Sequence, residues 1–333
     1  MTRQPPDGLD AVLGDLFDRP GDEGISLALV VLQGGDVVSE RYGIQPANAF
    51  EAEKVIDATS TLISWSMAKS VVHAATGILV ADGLLDLDAP APVPEWSGTD
   101  KADITTLDLL EMRSGLRFIE DYVDDEVSDC IEMLFGDSGP SHAAYTAAKP
   151  LIHPPGTVWN YSSGETNVVC RIIGDIVSGG VGGSPDDRRQ QMLEFLEERL
   201  FGPVGMASAA PKFDDAGDFV GSSYVYATAR DFARFGELYR NDGVAAAGTR
   251  VLPPGWSDHA RHKVADDPES GLGYGRHWWL WPDWPGSLSC NGHEGQYVVV
   301  VPDRDLVVVH LGKTPAEVAD GLRNRLRRVV ELF

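Results

Sequence analysis

A chain of 333 residues, 43% of them hydrophobic, is long enough for two domains or for one large mixed fold carrying an insertion. Its 51 acidic residues against 27 basic ones leave a formal net charge of −24, which repels phosphate backbones and anionic lipid surfaces and argues against nucleic-acid and membrane partners. No stretch reaches the roughly 18 uncharged apolar residues of a membrane-spanning helix. The three cysteines, Cys130, Cys170 and Cys290, are far apart and odd in number, which fits buried thiols in a reducing compartment better than a disulfide frame or a metal site. The start, Met1 to Asp7, lacks a basic residue followed by an apolar run, so no signal peptide is expected and the expected location is cytoplasmic.

Leu9, Val12, Leu13, Leu16 and Phe17 have helical spacing. Ser26–Leu32 and Val37–Tyr42 are strand-like and flank Gln33-Gly34-Gly35-Asp36, a hairpin signal. Ser66–Asp82 reads as a long helix ending at Gly83. Leu107–Met112, Asn167–Val177, Met192–Leu200 and Arg230–Arg240 read as further helices, with an exposed loop over Ser178–Asp187. Near the end, Gln296–Val301 and Leu306–Leu311 flank Pro302-Asp303-Arg304-Asp305 as a second hairpin, and Ala316–Phe333 closes the chain as a helix. The two ends thus supply antiparallel strands and covering helices, while the middle is helical. The pattern predicts an α/β (α+β) layer from residues 1–65 and 241–333, with a mainly helical lobe over 66–240.

Three short motifs can carry chemistry. Ser66-Met67-Ala68-Lys69 puts a hydroxyl and an ammonium on one helix face at a helix start, about 5–6 Å apart at Cβ. That makes either a nucleophile beside a cation, or an N-capping serine with a snorkelling lysine. Tyr161-Ser162-Ser163 follows a Pro-Gly turn. Its phenol is either a base whose pKa falls beside an ammonium, or a helix cap. Gly292-His293-Glu294-Gly295-Gln296 runs into a strand, where free backbone N–H groups could hold an oxyanion or simply form a turn. His259 and His262 lack the glutamate of a metalloprotease helix, and His73 reads as a packed group. No Gly-x-Ser-x-Gly, Gly-x-Gly-x-x-Gly or Walker sequence is present.

In this order, and with Gly83–Pro90, Ile104–Leu116, Tyr226–Gly236 and Gly273–Trp279 between them, the three motifs resemble the serine β-lactamase and penicillin-binding protein superfamily. The resemblance is nearest to the class C β-lactamase-like esterases and the 6-aminohexanoate-dimer hydrolases, and it spans about residues 25–330. It implies a β-lactamase-like fold, an antiparallel sheet flanked by helices with an inserted all-helical lobe and a cleft between them. It further implies Ser66 as nucleophile, Lys69 as its partner, and Tyr161 as general base, proton donor to the leaving group and activator of water. The backbone N–H groups of Ser66 and Gln296 would form the oxyanion hole. Ser163, where many relatives have Asn, would be a polar substrate contact, and His293 and Gly295 would border the substrate. Tyr122 is the candidate for a second tyrosine at the lobe rim. No metal or organic cofactor is implied. The chain departs from the Lys-Thr-Gly of β-lactamases with His293-Glu294-Gly295, a poor anchor for an acidic substrate. The expected activity is hydrolysis of a small-molecule ester or amide through an acyl-enzyme. A D-amino-acid-specific peptidase, a weak β-lactamase and a non-catalytic binding module are the alternatives. The oligomeric state is not legible.

Overall fold

The computed structural model describes residues 4–48, 52–120, 127–180 and 183–333. Its centre is an eight-stranded antiparallel sheet. The strands in chain order are β1 (Ile25–Gln33), β2 (Asp36–Tyr42), β3 (Ala265–Asp266), β4 (Gly273–Tyr274), β5 (Trp279–Leu280), β6 (Leu288–Gly292), β7 (Gln296–Val301) and β8 (Leu306–Lys313). Their order across the sheet is β2-β1-β8-β7-β6-β5-β4-β3, so strands from the two ends of the chain pair side by side, with Val31 opposite Val308. Both expected hairpins are present. The first turns at Gly34 and Gly35, both at positive φ, where a side chain would be strained.

The long central strands are buried on both faces. Val30, Leu32, Val298, Val300, Val307 and Val309 enter the larger core, while Leu29, Val31, Val299, Val301 and Val308 enter a second. This is the period-two alternation of a sheet covered on both sides. The second face is covered by α1 (Leu9–Phe17) and by the C-terminal helix (Ala319–Glu331), whose Leu322, Leu326, Val329 and Val330 face it.

The other face receives the nucleophile-motif helix α2 (Ala68–Ala81); further helices follow in the middle of the chain. These are α3 (Thr106–Leu110), α4 (Asp129–Phe135), α5 (His142–Ala147), α6 (Ser163–Val177), α7 (Pro185–Leu196) and α8 (Ala229–Arg240). The spacing misses α4 and α5, which have only 7 and 6 residues, too few for periodicity to stand out. Helix α7 begins earlier than expected, where Ser184 and Asp187 form a capping box around Pro185. Helix α8, inside the expected 66–240 lobe, packs on the sheet. A Cβ on its Gly236 would lie 2.6 Å from Val307 Cγ1, so glycine lets that helix approach the strands closely.

Candidate active site

Helix α2 is buried almost all round, and a short 3₁₀ turn, Trp65–Met67, leads into it. Ser66 thus lies in the first turn, where backbone N–H groups have no intrahelical acceptor. Trp65, just before it, has φ 45. A bulky residue in the left-handed region stores about 1–3 kcal/mol of strain, held here by contacts on three sides. Its indole meets the His293 ring edge-on at 5.7 Å, lies 6.0 Å from Tyr224, and donates from Nε1 to Glu294 Oε2 at 3.4 Å.

Lys69 is 2% exposed. Its Nζ donates to Ser66 Oγ at 3.1 Å, to Ser163 Oγ at 2.9 Å and to the Ser222 carbonyl at 3.0 Å. An ammonium has three hydrogens, and all three have acceptors. The Ser222 N–H in turn donates to Asn167 Oδ1 on α6 at 3.3 Å. Lys69 Nζ also lies 4.8 Å from the centre of the Tyr161 ring. One helical turn of α2 and the start of α6 therefore bring Ser66, Lys69 and Tyr161 together.

The protonation expected of Tyr161 needs correcting. Its ring packs against Trp279 at 5.5 Å and edge-on against Tyr274 at 5.7 Å. Burial pushes the phenol above its ordinary pKa. The Lys69 ammonium pulls it down, the Glu120 carboxylate pushes it up, and hydrogen bonds with Ser66 and Lys69 pull it down again, with burial prevailing. Burial therefore opposes the phenolate more than the ammonium favours it.

Ser163 is fully buried, and its hydroxyl is engaged by protein groups. Its hydroxyl accepts from Lys69 and donates to Glu120 Oε1 at 2.5 Å, while its N–H donates to Glu120 Oε2 at 2.8 Å. Sequence reasoning missed Glu120. The available signal was the serine itself: a side chain shorter than asparagine leaves room for another group to reach the lysine. Behind this layer, Glu165 is buried, accepts from Ser114 Oγ at 2.7 Å, and burial raises its pKa to about 8.

The third motif connects β6 to β7, with Gly292 opposite Gln296. Gly295 has φ 82, and a Cβ there would lie 2.5 Å from Leu322 Cδ2. The Gln296 side chain is turned into the sheet, where its Nε2 donates to the Gly312 carbonyl at 2.7 Å and its Oε1 accepts from Gly312 N–H at 3.0 Å. Only the Gln296 backbone is left to meet a substrate. His293 is exposed. A cavity of about 290 Å³ is lined by Trp65, Ser66, Ile131, Leu134, Phe135, Ser223, His293 and Glu294, so it joins the first and third motifs under the apolar side of α4. Tyr122 lies outside the described residues.

His73 serves packing, as expected. His73 is buried, with Nδ1 at 2.7 Å from Tyr239 Oη and Nε2 at 3.0 Å from His259 Nδ1. Among the described residues no group of three or more His, Cys, Asp and Glu is placed to hold a metal ion, no helix is long and apolar enough to cross a membrane, and all three cysteines are buried. A larger groove of about 670 Å³ around Pro92, Trp96, Ile172 and Ile176 does not include Ser66, Lys69 or Tyr161 in its lining.

An eight-stranded antiparallel sheet with a buried Ser-x-x-Lys helix, a tyrosine at the lysine and a glycine-bounded strand entry defines a serine-hydrolase architecture. The model of the Beta-lactamase family matches residues 15–332, and the chain belongs to that family as one of its hydrolases. It is 27% identical over 334 residues to a 6-aminohexanoate-dimer hydrolase of Paenarthrobacter ureafaciens, covering 93% of this chain and 78% of that protein. It is 30% identical over 198 residues to penicillin-binding protein 4 of Amycolatopsis lactamdurans, covering 47% of this chain and 48% of that one. Its fold is similar to that of a family VIII carboxylesterase, with a TM-score of 0.69 at 16% identity over 96% of each chain.

Proposed function

We propose that this hydrolase cleaves carboxylic esters or small amides through an acyl-enzyme on Ser66. The position of Lys69 carries the reading: it donates to Ser66 Oγ at 3.1 Å while Tyr161 packs 4.8 Å from its Nζ. All three hydrogens of the ammonium are committed, so Ser66 Oγ accepts from Lys69 and its own hydrogen is free to point to Tyr161. In the step proposed, Tyr161 acts after giving its proton to solvent. The phenolate takes the Ser66 proton as Oγ bonds to the carbonyl carbon. The oxyanion is held by the Ser66 and Gln296 backbone N–H groups. The bond to the leaving oxygen or nitrogen then breaks as Tyr161 returns the proton to it. Water releases the acyl group by the same proton path, restoring Ser66. Reaching the phenolate costs about 1.4 kcal/mol for each pH unit between solution and the phenol pKa. The nearby ammonium keeps that cost below what burial alone would set.

The cavity favours uncharged substrates. Ile131, Leu134 and Phe135 form its apolar wall, and Glu294 is the carboxylate among its described lining residues. A substrate carboxylate about 5 Å from another carboxylate meets roughly 3 kcal/mol of repulsion at an effective dielectric of about 20. This supports neutral esters and amides over penicillin-like acids. Comparing p-nitrophenyl butyrate with nitrocefin, in the natural protein and in Ser66→Ala, tests the proposal. Ester turnover that disappears in Ser66→Ala supports it. Efficient nitrocefin turnover without ester turnover, or ester turnover that survives the substitution, overturns it.

A further inference from the structure

We infer that Glu120 is a positioning residue of the catalytic centre: acting through Ser163, it holds Lys69 as a donor to Ser66 and so aims the Ser66 hydrogen at Tyr161. The inference rests on the proposed roles of Ser66, Lys69 and Tyr161 but assigns a part to a residue outside them.

Hydrogen direction carries the argument. A serine hydroxyl has one hydrogen. At Ser163 the Glu120 carboxylate takes it at 2.5 Å and also takes the Ser163 N–H at 2.8 Å. The only way left for Ser163 Oγ to meet Lys69 at 2.9 Å is as an acceptor. A hydroxyl free to rotate could instead swing toward Ser66. The two-point grip of the carboxylate removes that freedom. Such charge-assisted bonds are among the stronger ones in proteins. Ser163 is also the first residue of the 15-residue helix α6, so the Glu120 charge sits favourably at a positive helix end.

The same carboxylate bears on Tyr161. The charged and titratable groups around that phenol come from several elements: Lys69 from α2, Glu120 from the segment before α4, and Tyr274 from β4, with Glu165 of α6 behind Tyr274. Lys69 favours the phenolate and Glu120 disfavours it. Glu120 therefore has two separable effects. It orders the Lys69 hydrogens, and it holds the phenol in its protonated form to higher pH.

The test is the pH dependence of kcat/KM for p-nitrophenyl butyrate in Glu120→Gln, Glu120→Asp and Ser163→Ala, with circular dichroism as the check on folding. Glu120→Gln is expected to lower the alkaline plateau at least tenfold and to move the rising limb to lower pH, because a negative charge near the phenol is gone. Ser163→Ala is expected to lower the plateau with the limb in place, because the bridge is cut while the charge remains. Glu120→Asp is expected to restore the limb and part of the plateau. An unchanged plateau in a folded Glu120→Gln, or a limb that does not move, overturns the inference. If Glu120→Gln does not fold, an unchanged plateau in Ser163→Ala does so. Ester turnover surviving in Ser66→Ala would instead overturn the underlying reading.

Discussion

Gly292 lies so close to the segment leading into the nucleophile turn that a Cβ on it would stand 2.3 Å from the carbonyl oxygen of Ser64. The third motif and the Ser66 turn are therefore fitted backbone to backbone. The Ser64 hydroxyl adds to this by accepting the Val225 N–H at 3.0 Å. Gly292→Ala should push β6 away from the turn, separating the two proposed oxyanion donors. Ester kcat/KM should fall about 10²-fold or more, the range lost with one oxyanion donor, and stability should fall by about 1–3 kcal/mol. Steady-state kinetics and urea denaturation check both. A variant with natural activity would show that the two backbones do not need this fit.

A phenol held above its ordinary pKa is mostly protonated at neutral pH. If its phenolate is the base, log kcat/KM should rise with pH through neutrality with a slope near one, and level off only in alkaline solution. Tyr161→Phe should remove that rise and lower the rate by about 10²–10⁴-fold. A flat profile between pH 6 and 9 in the natural protein would count against Tyr161 as the base.

Glu165 predicts a pH effect on stability of the opposite sense to an ordinary carboxylate. Its folded pKa of about 8 lies above the ordinary glutamate value of 4.5, so the folded chain binds more protons than the unfolded chain between those values. Its contribution is complete below about pH 4.5 and declines as pH rises toward about 8, at up to about 1.4 kcal/mol per pH unit. Glu165→Gln keeps an uncharged group of the same shape. It should flatten this decline and raise Tm at pH 8 relative to the natural protein. Thermal unfolding at pH 5 and pH 8 decides the matter, and equal Tm differences at both would contradict it.

The cavity wall makes a charge-selectivity prediction. Glu294 already has a left-handed backbone, φ 61, so exchanging its side chain for lysine adds no new strain of that kind. Glu294→Lys should raise kcat/KM for mono-p-nitrophenyl adipate relative to p-nitrophenyl hexanoate by about 10–100-fold, a gain of about 1.4–2.8 kcal/mol. An unchanged ratio would mean that the carboxylate does not face the bound acyl group.

The hairpins at both ends were legible because Ser26–Leu32 and Gln296–Leu311 combine β-branched runs with turn residues. The pairing of Ser66 with Lys69 was legible because spacing on a helix decides which side chains share a face. Short elements were not. The two-residue strands Gly273–Tyr274 and Trp279–Leu280 are held by the Tyr274–Trp279 ring contact at 4.9 Å, which no periodicity displays. The expected fall in the Tyr161 pKa failed for a related reason. Sequence shows that a cation is available but not how deeply the ring is buried. The strain at Trp65 and the grip of Glu120 on Ser163 depend on tertiary contacts, so only the assembled chain shows them.

The most direct test of the account is covalent. The protein is treated with a fluorophosphonate probe, digested, and the modified residue located by tandem mass spectrometry. The account predicts one adduct, on the Oγ of Ser66, absent in Ser66→Ala and much slower to form in Lys69→Ala. An adduct on another residue, or no adduct in a preparation that still turns over esters, would contradict it.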